Sequence, residues 1–476
     1  MRIYTVFTLF LFIAITIIFM PVLADEEPAS PPTLSLSQAV EQALIYNKTI
    51  DNVKRSITEA ELSYRATTKE RLPKIQTNYA YTRTLTPFAI QGEYQLDPDS
   101  SVLTPFSMAF PQDNYTWTTW FSVPLFNRVQ DLSEEIARLG IDVAKVQLIQ
   151  AKNELLTNVK SSYFSILRDE RYIEFLQQNL KSCSEHEKLT TQFFRQGLVA
   201  KNSVMEAQVE SANAAQELQT ARQNHVISQA TLVTFMGIPD KSTVFQLSEK
   251  LEKRNFELTL EQCLEYAKSH NPELVAFKFL KEQADRAITL EKANYIPTLS
   301  LAAFYMVYGD KPGLQNSQAE GFPGSTLAAM LSINWLITDW GQKVDEARIK
   351  KSKLEQIKNN EVLSYDRISL RIREAYSQLK TAEKNLETSE LAINAARENV
   401  RLANLRYREQ AATSKEVIDA LTSQKRAEFN YYSALYLHNI ALTRLEEAMG
   451  SMTEKIVLSQ RDEKTMPELI KPEDKR

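Results

Sequence analysis

Proline and glycine are scarce over most of this chain. Residues 125–238 contain no proline and three glycines, and residues 342–450 contain no proline and one glycine. Because these two residue types most strongly disfavour the interior of a helix, their scarcity predicts helices far longer than the usual three turns. A helix over residues 127–194 would measure roughly 100 Å at 1.5 Å per residue, a length that a compact enzyme rarely needs.

Long apolar runs, cysteines and a strong net charge are also lacking. Beyond residue 24 no run of about 20 apolar residues occurs, so we expect no transmembrane helix, and any membrane crossing falls to β-strands. The net charge of −4 implies no general affinity for nucleic acid. Cys183 and Cys263 match no metal-site spacing; we predict that both are buried and leave their pairing open. With no catalytic or phosphate-binding motif, we expect no enzyme activity, no cofactor and no metal site.

The N-terminal residues are typical of a secretory signal peptide. Arg2 precedes an apolar segment, and Val22-Leu23-Ala24 forms a small-residue cleavage site. We predict a signal peptide over residues 1–24 and a linker over 25–33. The alternative is a membrane anchor, which the acidic, proline-containing residues after position 24 disfavour.

The two halves of the chain share one pattern. The segment 34–47 recurs at 258–271, and the Met-Gly pair at 236–237 recurs at 449–450. Duplication of a large unit explains this better than a short-period solenoid. We predict two structural repeats, 34–238 and 258–450, a connector over 239–257, and a disordered tail over 451–476.

Four segments alternate apolar and polar residues, as half-buried strands do. Their aromatic residues suit the lipid-facing side of an outer-membrane barrel, although a soluble sheet shows the same alternation. We predict strands near 75–84, 115–126, 297–308 and 326–337, exposed loops over 85–113 and 309–325, and helical hairpins over 128–238 and 342–450. The residues assigned to the apolar face are Ile75, Thr77, Tyr79, Tyr81, Tyr115, Trp117, Thr119, Phe121, Val123, Leu299, Leu301, Ala303, Tyr305, Leu327, Ala329, Leu331, Ile333 and Trp335.

A seven-residue repeat runs through the predicted helices and indicates coiled coils. Its members are Leu379, Ala382, Leu386, Ser389, Ile393, Ala396, Val400, Ala403 and Tyr407, followed past the turn by Ala420, Ala427, Ala434, Ala441 and Ala448. The four predicted strands are too few to close a barrel, since the smallest bacterial barrels use eight. The sheet edges are therefore expected to pair with other chains.

Three short motifs carry a family resemblance. Val123-Pro-Leu-Phe-Asn127 and Trp335-Leu-Ile-Thr-Asp-Trp-Gly341 stand where strands pass into helices, and Phe194-Arg-Gln-Gly-Leu-Val-Ala200 stands at a helix turn. With the repeats, they resemble the TolC-like outer-membrane efflux family. The resemblance implies a mainly α fold with a membrane β-barrel: a homotrimeric, twelve-stranded barrel that continues into an α-helical coiled-coil tunnel. It also implies an outer-membrane location with a periplasmic extension, contact with outer-membrane lipid, and two partners, a periplasmic adaptor and an inner-membrane transporter.

The resemblance also assigns roles to residues near the two helix turns. Tyr407 would help to lock the closed tip, while Glu416 and Asp419, three residues apart on one helix face, would form acidic rings that favour cations. The alternative for these carboxylates is a solvated helix face. The residues of the turns expected to contact the adaptor are Gly197, Leu198, Val199, Ala200, Ala411, Ala412, Thr413 and Ser414.

The chain departs from the family pattern at three positions near these turns. Ala412 stands where the family has a locking arginine, Ser203 where it has an aspartate, and Gln410 where a glycine is expected. Closure would then either use other side chains, with Arg406, Arg408 and Glu206 as candidates, or be weaker.

Some alternatives remain open at this stage. His225 and His438 occupy equivalent positions of the two repeats, and either a pH-sensitive ring or polar residues of the helix seam would explain them. The leading function is an export duct of a tripartite efflux or type I secretion system, and the alternative is a structural coiled-coil protein of the envelope without a pore. The transported cargo stays open among drugs, metal ions and proteins.

Overall fold

The structure is a computed structural model. It describes residues 33–86, 89–95, 103–109, 112–239, 245–314 and 324–450. The predicted signal peptide, almost all of the predicted linker and the predicted tail lie outside the described residues.

Eight helices account for most of the described chain. Two are the long helices that the scarcity of proline and glycine predicts, α3 with 68 residues and α7 with 67. In chain order the helices are α1 (Leu36–Tyr46), α2 (Lys48–Lys69), α3 (Arg128–Arg195), α4 (Lys201–Met236), α5 (Leu260–His270), α6 (Pro272–Ala293), α7 (Gln342–Arg408) and α8 (Ser414–Met449).

Eight strands form three small sheets within the described residues. In chain order they are β1 (Thr33–Leu34), β2 (Lys74–Arg83), β3 (Ala89–Gln95), β4 (Leu103–Ala109), β5 (Asp113–Phe126), β6 (Gln246–Leu247), β7 (Thr298–Gly309) and β8 (Ser325–Asn334). The main sheet has the antiparallel order β2-β5-β7-β8, so β2 and β8 are its edges. Strands β1 and β6 form a short parallel pair, and β3 and β4 form a separate hairpin.

Two details of the strand prediction were wrong. The segment 85–113 contains the β3–β4 hairpin, because residues 89–95 and 103–109 pair along their whole length, instead of being loop throughout. Strand β8 ends at Asn334, so Trp335 lies beyond it, and its indole N–H donates to the carbonyl of Tyr295 at 3.1 Å.

The register of the main sheet brings the predicted apolar residues of its strands onto one face. Cross-strand pairs run Ile75 to Phe121, Tyr305 to Leu327, and Leu301 to Leu331. Because strand side chains alternate with a period of two, residues in register share a face across all four strands. Leu331 is 63% exposed, so this apolar face is left open in a single chain.

The chain divides into two compact units, each with its own core. The first comprises the residues up to Gln42, Ser162–Glu252 and Ala396–Tyr432, and the second comprises Ala43–Ser161, Lys253–Ala395 and the residues from Ser433 onward. The main sheet belongs to the second unit, and both turns between long helices belong to the first. The predicted heptad residues of α7 and α8 are buried, apart from the half-buried Val400.

A close backbone approach fixes the end of α8 in the second unit. Gly450 has φ +82°, and a Cβ there would lie 2.5 Å from the carbonyl oxygen of His270. The side-chain amide of Asn271 donates to the carbonyl of Ala448 at 2.9 Å. The end of α8 therefore rests directly on the junction between α5 and α6, where only glycine fits.

Candidate functional site at the helix turns

The turn between α3 and α4 is a Schellman motif. The N–H of Leu198 donates to the carbonyl of Phe193, and the N–H of Gly197 donates to the carbonyl of Phe194, both at 2.9 Å. These two bonds satisfy carbonyls that the end of a helix leaves unpaired. Gly197 adopts φ +75°, a conformation that costs glycine little. Leu198 is 48% exposed, so the turn presents an apolar side chain to solvent.

The turn between α7 and α8 has the same geometry without a glycine. The N–H of Ala411 donates to the carbonyl of Arg406 at 2.7 Å, and the N–H of Gln410 donates to the carbonyl of Tyr407 at 3.0 Å. Gln410 takes the left-handed position with φ +58°. Gln410, which stands where the family has a glycine, thus preserves the turn. It does so in a left-handed backbone conformation that is unfavourable for residues with a side chain.

Exposure separates the predicted turn residues into two groups. Gly197, Leu198, Ala200, Ala411 and Thr413 are exposed, while Val199 and Ala412 are half-buried.

Ser414, the remaining predicted contact residue, is buried, with 4% of its surface exposed. Its hydroxyl forms a hydrogen bond with Nε2 of His186 at 2.8 Å. The first residue of α8 is thereby held against α3.

Tyr407 lies inside the first unit, not on its surface. It is 2% exposed, and its hydroxyl lies 2.9 Å from Oγ1 of Thr190, which is fully buried. Thr190 donates its own proton to the carbonyl of His186 at 2.8 Å, so Tyr407 is the donor to Thr190. The start of the second turn is therefore tethered to α3 of the same chain.

His186 packs beside this tether. Its ring centroid lies 4.9 Å from that of Tyr407, and its Nδ1 has no hydrogen-bond partner within the described part of the chain. Burial lowers the pKa of His186 to about 4, because a charged imidazole loses its hydration there. The ring is thus neutral at neutral pH. Thr190 and His186 were missed by the sequence analysis; their spacing of four on one helix face was the available signal.

Glu416 closes a capping box at the start of α8. Its Oε1 accepts from the backbone N–H of Thr413 at 3.1 Å, while its own N–H donates to Oγ1 of Thr413 at 3.3 Å. Its other oxygen lies 3.4 Å from the guanidinium of Arg406. The backbone N–H of Thr413 is the main cause that lowers the pKa of Glu416, and the Thr413 hydroxyl and Arg406 add to it. A crowd of carboxylates would shift the pKa in the opposite direction.

Asp419 lies one helical turn beyond Glu416 and is highly exposed. Its carboxylate lies 3.6 Å from the ammonium group of Lys415, an i,i+4 pair. Each of the two predicted gate carboxylates therefore has a cation of its own chain within 4 Å.

Arg406, one of the candidates for closure, makes two contacts around the second turn. Besides pairing with Glu416, its guanidinium donates to the carbonyl of Ala411 at 3.0 Å. It thereby links the end of α7 to the middle of the turn and to the start of α8. Arg408 and Glu206, the other candidates, are exposed.

The two cysteines, and the two histidines at equivalent repeat positions, are explained by burial. Cys183 and Cys263 are free thiols, both buried, and burial raises the pKa of each to about 11. The prediction that both are buried is confirmed. His225 is half-buried and His438 fully buried, and burial lowers the pKa of both, which favours neutral residues of the helix seam.

No helix among the described residues combines the length and the apolar character needed to span a bilayer. No cluster of three or more potential metal-ligating side chains occurs in the same part of the chain.

A family model described as outer membrane efflux protein matches residues 39–238 and 263–451. The chain belongs to the outer membrane efflux protein family. The outer membrane protein TolC of Vibrio cholerae is 22% identical over 426 residues, which cover 87% of this chain and 92% of TolC. TolC of Escherichia coli is 21% identical over 452 residues, covering 92% and 87%.

Solved structures of efflux channels share the fold. The CmeC outer membrane channel of Campylobacter jejuni superposes with a TM-score of 0.70 at 13% identity, covering 89% of this chain and 88% of CmeC. The family consists of outer-membrane transport channels and not of enzymes. This efflux protein is accordingly an outer-membrane efflux channel, as the resemblance implied.

Proposed function

We propose that three copies of this chain close their sheets into one membrane barrel, which continues into a coiled-coil tunnel of α-helices. The main observation behind this proposal is the four-stranded antiparallel sheet, in which the edges β2 and β8 are open. The apolar residues of its strands share one face. Three copies of these four strands give a twelve-stranded barrel, above the eight that the smallest bacterial barrels need. Pairing between chains would also remove the exposed edges.

The barrel and tunnel would form the outer part of a tripartite efflux or type I secretion system. A periplasmic adaptor would join the channel to an inner-membrane transporter, and cargo would pass from the transporter to the outside. Family membership supports this assignment, since the family model covers both halves of the chain. The two matched ranges also support two structural repeats joined by the connector over 239–257.

The tunnel would close at the helix turns of the first unit. Tyr407 would act by tethering the second turn to α3, while Glu416 and Asp419 would lie at the narrow entrance. The buried hydrogen bond from Tyr407 to Thr190 supports this role, since opening the tip would require the second turn to leave α3.

The exposed turn residues would contact the adaptor. Cysteine replacing Leu198 or Thr413, both exposed, should form crosslinks to the adaptor in cells. Val417→Cys is the matched control, because Val417 is fully buried near the second turn and should not react. If Leu198→Cys reacted only with reagents outside the cell, the turns would lie on the outer side of the membrane, opposite to the proposed topology.

Purification distinguishes the duct from its alternative, a structural coiled-coil protein without a pore. The duct should be recovered from outer membranes in detergent as a heat-labile trimer that conducts ions in planar bilayers. A periplasmic rod that conducts nothing would support the alternative. The open apolar face of the sheet favours the duct, because soluble proteins rarely expose large apolar surfaces to water.

A further inference from the structure

The charges around the second turn are balanced. Glu416 lies 3.4 Å from Arg406, and Asp419 lies 3.6 Å from Lys415. All four side chains are 46–75% exposed, so each pair stabilises the fold little. The pairs nevertheless change the electric field that a passing ion experiences. A cation within 4 Å of a carboxylate lies well inside the screening length of about 8 Å at physiological salt, so an ion in the tunnel senses the sum of the two charges.

The positions of these charges are defined by the backbone. Arg406 donates to the carbonyl of Ala411 at 3.0 Å, and Glu416 accepts from the backbone N–H of Thr413 at 3.1 Å. Lys415 stands four residues before Asp419 on the same face of α8. The backbone therefore holds both cations in the same region as the two carboxylates.

The surrounding charges do not restore an acidic character. From Arg406 to Asp419 the second turn carries three cations and three carboxylates, namely Arg406, Arg408, Lys415, Glu409, Glu416 and Asp419. Over the equivalent residues 193–206 the first turn adds two cations, Arg195 and Lys201, and one carboxylate, Glu206. The two turns together are thus slightly basic in each chain.

We propose that Arg406 and Lys415 determine the selectivity of the periplasmic entrance, which admits anionic cargo as readily as neutral or cationic cargo. This inference rests on the proposed function, which puts both turns at the entrance of a trimer. It replaces the cation preference that the resemblance alone implied. Selective rings require an excess of one charge, and the paired cations cancel the rings of Glu416 and Asp419.

The test is electrical recording of the full trimer in planar bilayers. The reversal potential in a KCl gradient gives the permeability ratio of K⁺ to Cl⁻, and hexaamminecobalt(III) added on the side of the turns probes block by a multivalent cation. The wild-type ratio should lie within about twofold of unity, with weak block. The double variant Arg406→Gln/Lys415→Gln should shift the ratio several-fold toward K⁺ and lower the blocking concentration on the order of tenfold.

Controls separate charge from folding. Arg171→Gln removes one member of an exposed pair with Glu174 on α3, remote in sequence from both turns, and should change neither readout. Lys415→Gln alone leaves the hydrogen bonds of the turn intact and should give part of the shift, even if the double variant assembles poorly.

A strongly cation-selective wild type whose selectivity and block are unchanged in Lys415→Gln and in the double variant would overturn the inference while leaving the duct intact. A purified trimer that conducts no ions would instead refute the proposed function itself.

Discussion

The tether between Tyr407 and Thr190 allows a quantitative test of the proposal that Tyr407 holds the tip closed. The hydroxyl of Tyr407 donates to Thr190 at 2.9 Å, and both residues are buried. Tyr407→Phe removes this bond, but Thr190 still donates to the carbonyl of His186. The loss should be that of one neutral hydrogen bond, about 1 kcal/mol per chain. If opening breaks all three tethers of a trimer, the closed state loses about 3 kcal/mol, on the order of a hundredfold in the open-to-closed ratio.

The partner variant should cost more. Thr190→Val keeps the shape of the side chain but leaves the buried hydroxyl of Tyr407 without an acceptor, a penalty of about 1–3 kcal/mol per chain. The double variant Tyr407→Phe/Thr190→Val removes both polar atoms, so it should be less destabilised than the sum of the single variants. Thermal unfolding measures the stability term, and open probability in planar bilayers measures the opening term.

The control is Tyr46→Phe, which alters a tyrosine that is 58% exposed and should change neither measurement. The reasoning fails if Tyr407→Phe and Thr190→Val both leave the open probability at the wild-type level. Strict additivity in the double variant would also refute it, because the two hydroxyls would then not interact.

Acid provides an independent check on the same cluster. Burial lowers the pKa of His186 to about 4, below the unfolded value of about 6.5. The neutral ring contributes its full stability above pH 6.5, and this contribution is lost as the pH falls toward 4. If opening exposes His186 to water, the open probability should rise over the same range, and His186→Gln should reduce the pH dependence. An identical acid response in His186→Gln would assign it to other groups.

Three further predictions concern the backbone and the sheet. Gln410→Gly should raise the free energy of unfolding by about 1 kcal/mol, because φ is +58° there; unchanged thermal unfolding would argue against strain at this turn. Gly450→Ala should lower the free energy of unfolding, measured by urea titration, far more than Gly197→Ala. Both glycines have positive φ, but only a Cβ at position 450 would lie within 3 Å of backbone atoms. Equal losses in the two variants would contradict the close approach at Gly450. Leu331→Arg should make insertion of the barrel into the membrane less favourable by about 2–4 kcal/mol. Ser332→Arg, on the opposite face, should have no such effect. The reverse result would mean that the face of Ser332, and not that of Leu331, contacts lipid.

Local patterns in the sequence were enough to predict the long helices and the four strands of the main sheet. The lack of proline predicted α3 and α7, and the seven-residue repeat identified buried residues such as Leu379 and Ala434. Alternation placed Leu301 and Leu331 on one face, and the register pairs them directly. These predictions succeed because helix and strand periodicities depend on residues a few positions apart. The capping box of Thr413 and Glu416 was readable in the same way and was missed.

Only the tertiary structure decided which side chains meet at the turns. Tyr407 and Thr190 are 217 residues apart, and His186 and Ser414 are 228 apart. Their contacts depend on how the end of α7 and the start of α8 pack against α3 within the first unit, which no local pattern specifies. The same packing buries Ser414, whose position in the sequence suggested an exposed turn. Likewise, the sequence shows Arg406 and Glu416 as two charges ten positions apart, and only the Schellman turn between them brings the charges within 4 Å, because the chain reverses its direction there.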